Sequence, residues 1–175
     1  MGPLFSSELE KILAYARDEA MRTGSAAIGP DHLALGILRH SDNNACRVLE
    51  ALGINLEYLK RCIEAPVFHE HAIPYCEMEN VRLSKAGQSA VAMALAEAAG
   101  KGAEEACAEH LLLALEGMDS GSLKAFLSSN GITRASITGR LSGKAKGPAA
   151  SRVPEKNVRK FTFVFKQGDG GGLPS

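Results

Sequence analysis

The sequence has no tryptophan, and aromatic residues fill only 5% of its 175 positions although hydrophobic residues fill 45%. Chains with few aromatics and much alanine favour closely packed helices over a β-sandwich. No apolar run reaches the roughly 18 residues that a membrane-spanning helix needs. The composition therefore predicts an all-α globular chain with no membrane contact.

The four cysteines form no C-x-x-C pair, and the opening residues lack the apolar stretch of a secretory signal. We therefore expect reduced thiols and a cytoplasmic location. The linker at 66–82 contains His69, His71 and Cys76, which are residue types that bind zinc. No second group of such residues follows them to complete a zinc site. This pattern favours an ordinary exposed linker, with no bound metal.

Motifs for nucleotide binding and for common hydrolytic chemistry are also missing. The chain has no G-x-x-x-x-G-K-[ST], no G-x-S-x-G, no H-E-x-x-H and no G-x-G-x-x-G. We therefore expect a binding module that is not an enzyme, needs no cofactor and binds no nucleic acid.

The most informative pattern is a duplication. Asp31, His32 and Leu33 recur 78 positions later as Glu109, His110 and Leu111, and residues 5–63 align with 83–141 without a gap. No serine or cysteine nucleophile recurs with the two histidines, which favours packed, hydrogen-bonded roles for them. A repeat of this kind predicts a duplicated structural unit.

Each copy shows the periodicity of four helices. In the first copy, Ser7 and Glu10 have the spacing of a capping box, Gly24 ends the first helix, and proline suits the first position of the second. The predicted helix starts are Ser6 or Ser7, Pro30, a point before Ala45, and the residue after Asn55.

We predict one compact pseudo-twofold domain of eight helices over 1–143, with repeats at 4–66 and 82–143. A four-helix unit of about 60 residues has a thin core, so each copy is expected to complete the core of the other and to unfold with it.

Residues 144–175 form a basic tail, predicted to be mostly flexible. They carry seven Lys/Arg and two Asp/Glu, whereas 1–143 carry 13 and 18. Within 158–167, Phe161, Phe163 and Phe165 alternate with other residues at strand period. This strand could add to a partner's sheet, fold onto the acidic body, or stay disordered.

The stretch "FSSELEKILAYARDEAMRTGSAAIGPDHLALGIL" resembles the amino-terminal repeat domain of Clp (Hsp100) chaperone ATPases, nearest to the ClpC type. The shared features are an aromatic residue before Ser, spaced alanines, a glycine, an acid-His-Leu phrase and a Gly-Ile, and the second copy keeps Glu109 to Leu113. The resemblance covers about 4–143 and excludes the family's ATPase modules.

The resemblance implies a domain that binds clients or adaptors for unfolding and degradation. Its expected partners are Clp ATPase and protease components, adaptor proteins, and unfolded or marked clients. The alternative is a stand-alone structural accessory that binds the ATPase ring or the protease core without handling substrate.

The resemblance also implies one phosphoarginine site per repeat. The carried-over residues are Asp31 and Glu109, whose carboxylates would bind the guanidinium, and Ser6 and Ser84, at the family's Thr/Ser positions. Free N–H groups at a helix start would receive the phosphate. The alternative is that Asp31 and Glu109 only complement helix dipoles.

Overall fold

A computed structural model describes residues 4–119 and 121–143. Within these residues the chain is mainly helical, with short β-strands of two residues each. The elements of the first repeat are β1 (Leu4–Phe5), α1 (Ser7–Arg22), β2 (Ala27–Ile28), α2 (Pro30–Arg39), α3 (Asn44–Ala51) and α4 (Leu56–Val67). Those of the second are β3 (Arg82–Leu83), α5 (Lys85–Gly100), β4 (Glu105–Ala106), α6 (Ala108–Glu116), α7 (Ser122–Ser129) and α8 (Arg134–Gly143).

The predicted eight helices and their order are confirmed, but the cap of α1 differs from the prediction. The N-cap is Ser6, whose hydroxyl accepts the backbone N–H of Leu9 at 3.0 Å. The Ser7–Glu10 capping box is wrong, because Ser7 is already the first helical residue. Gly24 follows the end of α1 at φ 83°, the left-handed conformation that glycine adopts at low cost.

Short parallel strand pairs tie the two repeats together. Strand β1 pairs with β4, with Leu4 beside Glu105, and β2 pairs with β3, with Ala27 beside Arg82. Each pair joins the first strand of one repeat to the second strand of the other. The offset of 78 relates the two pairs, so this crossed pairing obeys the pseudo-twofold symmetry.

The core lies between the repeats and is continuous across them. Helices α2 and α6 contact each other, α4 packs on α7, and α3 packs on α8. Leu33 and Leu111, equivalent residues of the two copies, are both fully buried. The expectation that each copy completes the other's core is confirmed.

Helices α1 and α2 approach each other closely at Gly36. A Cβ atom there would lie 2.5 Å from the carbonyl oxygen of Ile12 and 3.0 Å from the backbone nitrogen of Ala16. Only glycine fits at this crossing. The close approach fixes the position of α2, whose first turn contributes to the candidate site.

The linker is more regular than predicted. Helix α4 continues through Pro66 to Val67, and a 3₁₀ helix spans Tyr75–Asn80. The basic tail and its predicted strand at 158–167 lie outside the described residues. In the described part of the chain, every helix is too short or too polar to cross a bilayer.

Candidate functional site

The crossed strands place the serine of each repeat against the acid-His-Leu helix of the other. The Ser6 N–H donates to the carbonyl of Ala106 at 3.0 Å, just before α6. The Ser84 N–H donates to the carbonyl of Ile28 at 3.0 Å, and its hydroxyl lies 3.7 Å from a Cβ built on Gly29. The result is two related sites, each built from both repeats.

Each of these helix starts is held by its own histidine. Nδ1 of His32 accepts the N–H of Gly29 at 3.1 Å, and Nδ1 of His110 accepts the N–H of Cys107 at 2.9 Å. Both imidazoles are buried, and this burial lowers the pKa of each. The histidines therefore fix the first turn, in the packed and hydrogen-bonded role predicted for them.

In the Asp31 site, formed by Gly29, Asp31, Ser84 and Ser122, the carboxylate is already engaged. Its Oδ1 accepts the backbone N–H of Ser122 at 2.8 Å, and its Oδ2 accepts the hydroxyl of Ser122 at 3.2 Å. Ser122 is the first residue of α7, whose N-cap Gly121 supplies no side chain. Asp31 thus caps a helix of the other repeat.

In the Glu109 site, formed by Ser6, Glu8, Cys107 and Glu109, the carboxylate is far less engaged. Among the described residues, Glu109 Oε1 lies 3.5 Å from Asn44 Nδ2, at the outer limit of hydrogen bonding. Asn44 begins α3, which already has a side-chain cap from Asn43. The Glu109 carboxylate is therefore open to a ligand.

A second carboxylate, Glu8 in the first turn of α1, interacts electrostatically with Glu109. Burial, followed by the negative charge of Glu109, raises the pKa of Glu8 to about 7, while the guanidinium of Arg47 acts in the opposite direction. Glu8 Oε2 is buried and has no hydrogen-bond partner in the described part of the chain. Burial without a hydrogen-bond partner therefore disfavours the charged form of the Glu8 carboxyl group.

Cys107, Glu109 and His110 have ligand atoms within 4.8 Å of one another, the spacing of a metal site. Burial raises the pKa of the Cys107 thiol to about 11, however, and Nδ1 of His110 already accepts a backbone N–H. A protonated thiol and an engaged imidazole nitrogen suit metal poorly. His69, His71 and Cys76 form no comparable group among residues 4–119 and 121–143.

The model of the Clp repeat (R) N-terminal domain family matches residues 4–130, most of the chain. The chain belongs to this family. The predicted resemblance is therefore confirmed, and the two sites lie at the repeat interface of a Clp N-terminal domain.

Curated relatives of this Clp N-terminal domain are much longer proteins. It is 27% identical over 111 residues to the negative regulator of genetic competence ClpC/MecB of Bacillus subtilis, covering 63% of this chain and 13% of that protein. It is 25% identical over 111 residues to the chaperone protein ClpB of Oceanobacillus iheyensis, again covering 63% and 13%. The chain thus spans about an eighth of these relatives.

Solved structures share the fold of this Clp N-terminal domain at low identity. The Hsp104 N-terminal domain from Candida albicans has a TM-score of 0.66 at 14% identity, with 82% of this chain and 93% of that one covered. The N-terminal domain of ClpD from Arabidopsis thaliana has a TM-score of 0.62 at 16% identity, with 82% and 95% covered. These likenesses show the fold alone.

The structure does not bring the predicted ligand residues of one repeat together in one site. Ser6 of the first repeat lies with Glu109 of the second, and Ser84 of the second repeat lies with Asp31 of the first, because each strand pair joins the two repeats. Both serine hydroxyls also cap helices, since Ser84 Oγ accepts the N–H of Gly87 at 2.9 Å. Sequence reasoning missed Glu8, because an acidic residue is common in the first turn of a helix. The signal that could have found it is that the equivalent position of the second repeat, Ala86, is not acidic.

Proposed function

We propose that this chain receives client or adaptor proteins for an ATP-dependent Clp chaperone-protease system in the cytoplasm. Membership of the Clp N-terminal domain family carries the proposal, because members such as the ClpC relatives belong to Clp ATPases. One relative, from Staphylococcus saprophyticus, is named as the ATP-binding subunit of the ATP-dependent Clp protease. In such a system a domain without an ATPase module contributes recognition.

The two sites support the proposal chemically. Each joins a carboxylate, at Asp31 or Glu109, to a helix start and a serine, at Ser84 or Ser6. A carboxylate binds an arginine side chain by two charge-assisted hydrogen bonds, and a helix start attracts an anion. An arginine of a client, unmodified or as phosphoarginine, is therefore the ligand chemistry that we propose for these residues.

The test uses the full chain and a defined client. The chain is titrated into a fluorescently labelled protein that chemical modification keeps unfolded, and the same protein without the modification, in its folded form, serves as the control. We expect anisotropy to rise for the unfolded form alone, and the Asp31→Asn/Glu109→Gln double variant to bind at least fivefold more weakly. These substitutions keep the shape of each side chain, so loss of fold does not confuse the result.

Equal binding of the folded and unfolded forms, or of wild type and the double variant, would contradict the proposal. Affinity capture of Clp ATPase or protease subunits without clients would instead support the structural-accessory alternative. The titration reports recognition of substrate and the capture reports attachment to the machinery, so the two measurements separate the two roles.

A further inference from the structure

The sequence of the basic tail repeats the short strand that opens each copy of the duplication. Phe5-Ser6 recurs at the offset of 78 as Leu83-Ser84, and a second step of 78 leads to Phe161-Thr162. Each time, an apolar residue precedes a hydroxyl residue. Residues 144–160 of the tail are as many as residues 66–82, which lead from the end of α4 into β3. The tail therefore repeats both the strand and its distance along the chain from the preceding helix.

The linker of the first repeat shows where a strand at this spacing goes. After α4 the linker passes the end of α1, where the His69 N–H donates to the carbonyl of Thr23 at 2.8 Å. It then enters β3, after which the Ser84 N–H donates to the carbonyl of Ile28 at 3.0 Å. Strand β3 thus pairs with β2, the second strand of the repeat that precedes it. The tail follows α8 of the second repeat, so the same path leads to β4.

This edge of β4 is held by β1 in the structure. The Leu4 N–H donates to the carbonyl of Glu104 at 3.1 Å, and the Ser6 N–H donates to the carbonyl of Ala106 at 3.0 Å. Leu4 lies beside Glu105 with 70% of its surface exposed, so its side chain contributes little burial to the pairing. Two segments of one chain therefore fit the same edge, and one of them can occupy it at a time.

The charge of the β4 edge matches the tail better than it matches β1. Glu104 and Glu105 are both exposed, and β1 places the uncharged Leu4 beside Glu105. In the same register the tail places Lys160 beside Glu105, and Arg159 comes directly before it. Opposite charges on neighbouring strands attract each other. The exposed face of this edge thus favours the tail.

The buried face of the edge is served equally well. Phe5 packs against the core beside Ala106, which is fully buried, and the equivalent pair in the other sheet is Leu83 beside Ile28. The tail offers Phe161 at this position, the same residue type as in β1. Phenylalanine contributes a large apolar area, so the exchange of one phenylalanine for the other retains that contribution.

We propose that residues 159–162 of the tail exchange with Leu4–Ser6 on the edge of β4, so that β1 is released when the domain binds its own tail. Thr162 then donates to Ala106 in place of Ser6. A tethered segment has a high effective concentration when its connection matches the span, and the linker at 66–82 shows that this length suffices. The net charge of the tail, opposite in sign to that of 1–143, acts in the same direction.

The test is cross-linking of the full chain, at low protein concentration, with a carbodiimide that joins a carboxylate to an amine in direct contact. The bonds formed are identified by digestion and mass spectrometry. We expect an amide bond between Glu105 and Lys160 of one chain. Lys166 is the matched control, and its bond to Glu105 should be roughly tenfold less abundant, because on an extended strand it lies about 20 Å beyond Lys160 on the same side.

Matched variants of the tail distinguish strand pairing from loose attraction between opposite charges. Phe161→Ser should make the bond between Glu105 and Lys160 roughly tenfold less abundant, because the variant loses the apolar burial of the phenylalanine. Phe165→Ser, which makes the same change outside the proposed register, should leave the bond unchanged. A tail held by charge alone would respond to neither variant.

Hydrogen exchange followed by NMR reports the release of β1. In Phe161→Ser the Ser6 amide should exchange at least roughly twofold more slowly than in wild type, because β1 then holds β4 for more of the time. The Ser84 amide, which bonds to Ile28 in the other sheet, is the internal reference and should exchange at the same rate in both proteins.

Equal cross-linking of Lys160 and Lys166 to Glu105, or no cross-link from the tail to Glu105, would overturn the inference. A bond found only between two chains would assign the edge to the tail of a second copy and would overturn exchange within one chain. An unchanged exchange rate of the Ser6 amide in Phe161→Ser would mean that the tail does not displace β1, and it would overturn the inference as well.

Discussion

The capping role of Asp31 leads to a sharp prediction about stability. Asp31 supplies the side chain that Gly121 lacks at the start of α7, a helix of eight residues. Loss of an N-cap costs about 1 kcal/mol, and a hydrogen bond to a charged group contributes about 1.5–3 kcal/mol. Because Asp31 is half-buried, we expect Asp31→Ala to lower the free energy of unfolding by about 1.5 kcal/mol.

The pseudo-symmetric control is Glu109→Ala. Its contact with Asn44 is long and exposed, and α3 keeps its own cap from Asn43, so we expect a loss under about 0.5 kcal/mol. In thermal melts followed by circular dichroism, Asp31→Ala should lower the Tm by about 4–6 °C and Glu109→Ala by about 1 °C. Asp31→Asn, which keeps an acceptor but loses the charge, should fall between them.

Equal Tm shifts for the two alanine variants would refute this reasoning, as would an unchanged Tm in Asp31→Ala. An unchanged Tm would mean that the hydrogen bonds from Ser122 contribute nothing to folding, and equal shifts would mean that they contribute no more than the contact of Glu109 with Asn44. Asp31 would then be free to bind a ligand, and the asymmetry between the two sites would rest on Glu8 alone.

Two further predictions concern single residues. The pKa of Glu8 is raised from 4.5 to about 7, so the folded state holds more protons than the unfolded state in this interval, and Glu8 lowers stability as pH rises through it. Glu8→Gln should therefore be about 1 kcal/mol more stable than wild type at pH 8 and nearly equal at pH 4 in urea titrations, after allowance for solvent screening; a constant difference across pH would contradict the assignment. Gly36→Ala should cost about 1–3 kcal/mol because its Cβ meets α1, whereas Gly139→Ala in α8, which faces open space, should be neutral or slightly stabilising; equal melting curves for the two variants would show that α1 and α2 can separate without cost.

The sequence predicted the helices well because their signals are local. Pro30 at a first helical position, Gly24 after a last turn and Asn55 as a cap each act within a few residues of their own position. The misplaced cap at Ser7 shows the limit of such signals, since Ser6 and Ser7 are both good caps. Which of them acts is decided by the Ser6 N–H, which bonds to Ala106, 100 positions away.

The candidate site was predicted less completely, for the same reason. The duplication points to Asp31 and Glu109 as equivalent residues, and equivalence in sequence suggests equal roles. Their partners, Ser122 and Asn44, come from the opposite repeat and are brought close only by the crossed packing. The charge interaction between Glu8 and Glu109 likewise joins residues far apart in the sequence, so the spacing of residues within one repeat could not predict it.

The crossed strands have a consequence for how the chain folds as it is synthesised. Leu4 pairs with Glu105 and Ala27 with Arg82, so strands β1 and β2 have no native pairing partner until the second repeat has been made. Contacts between residues so far apart form slowly, because a long loop must close first. The first repeat therefore leaves the ribosome with its Leu4–Phe5 edge and one side of its core unpaired, and its native structure is completed only when the last helices arrive.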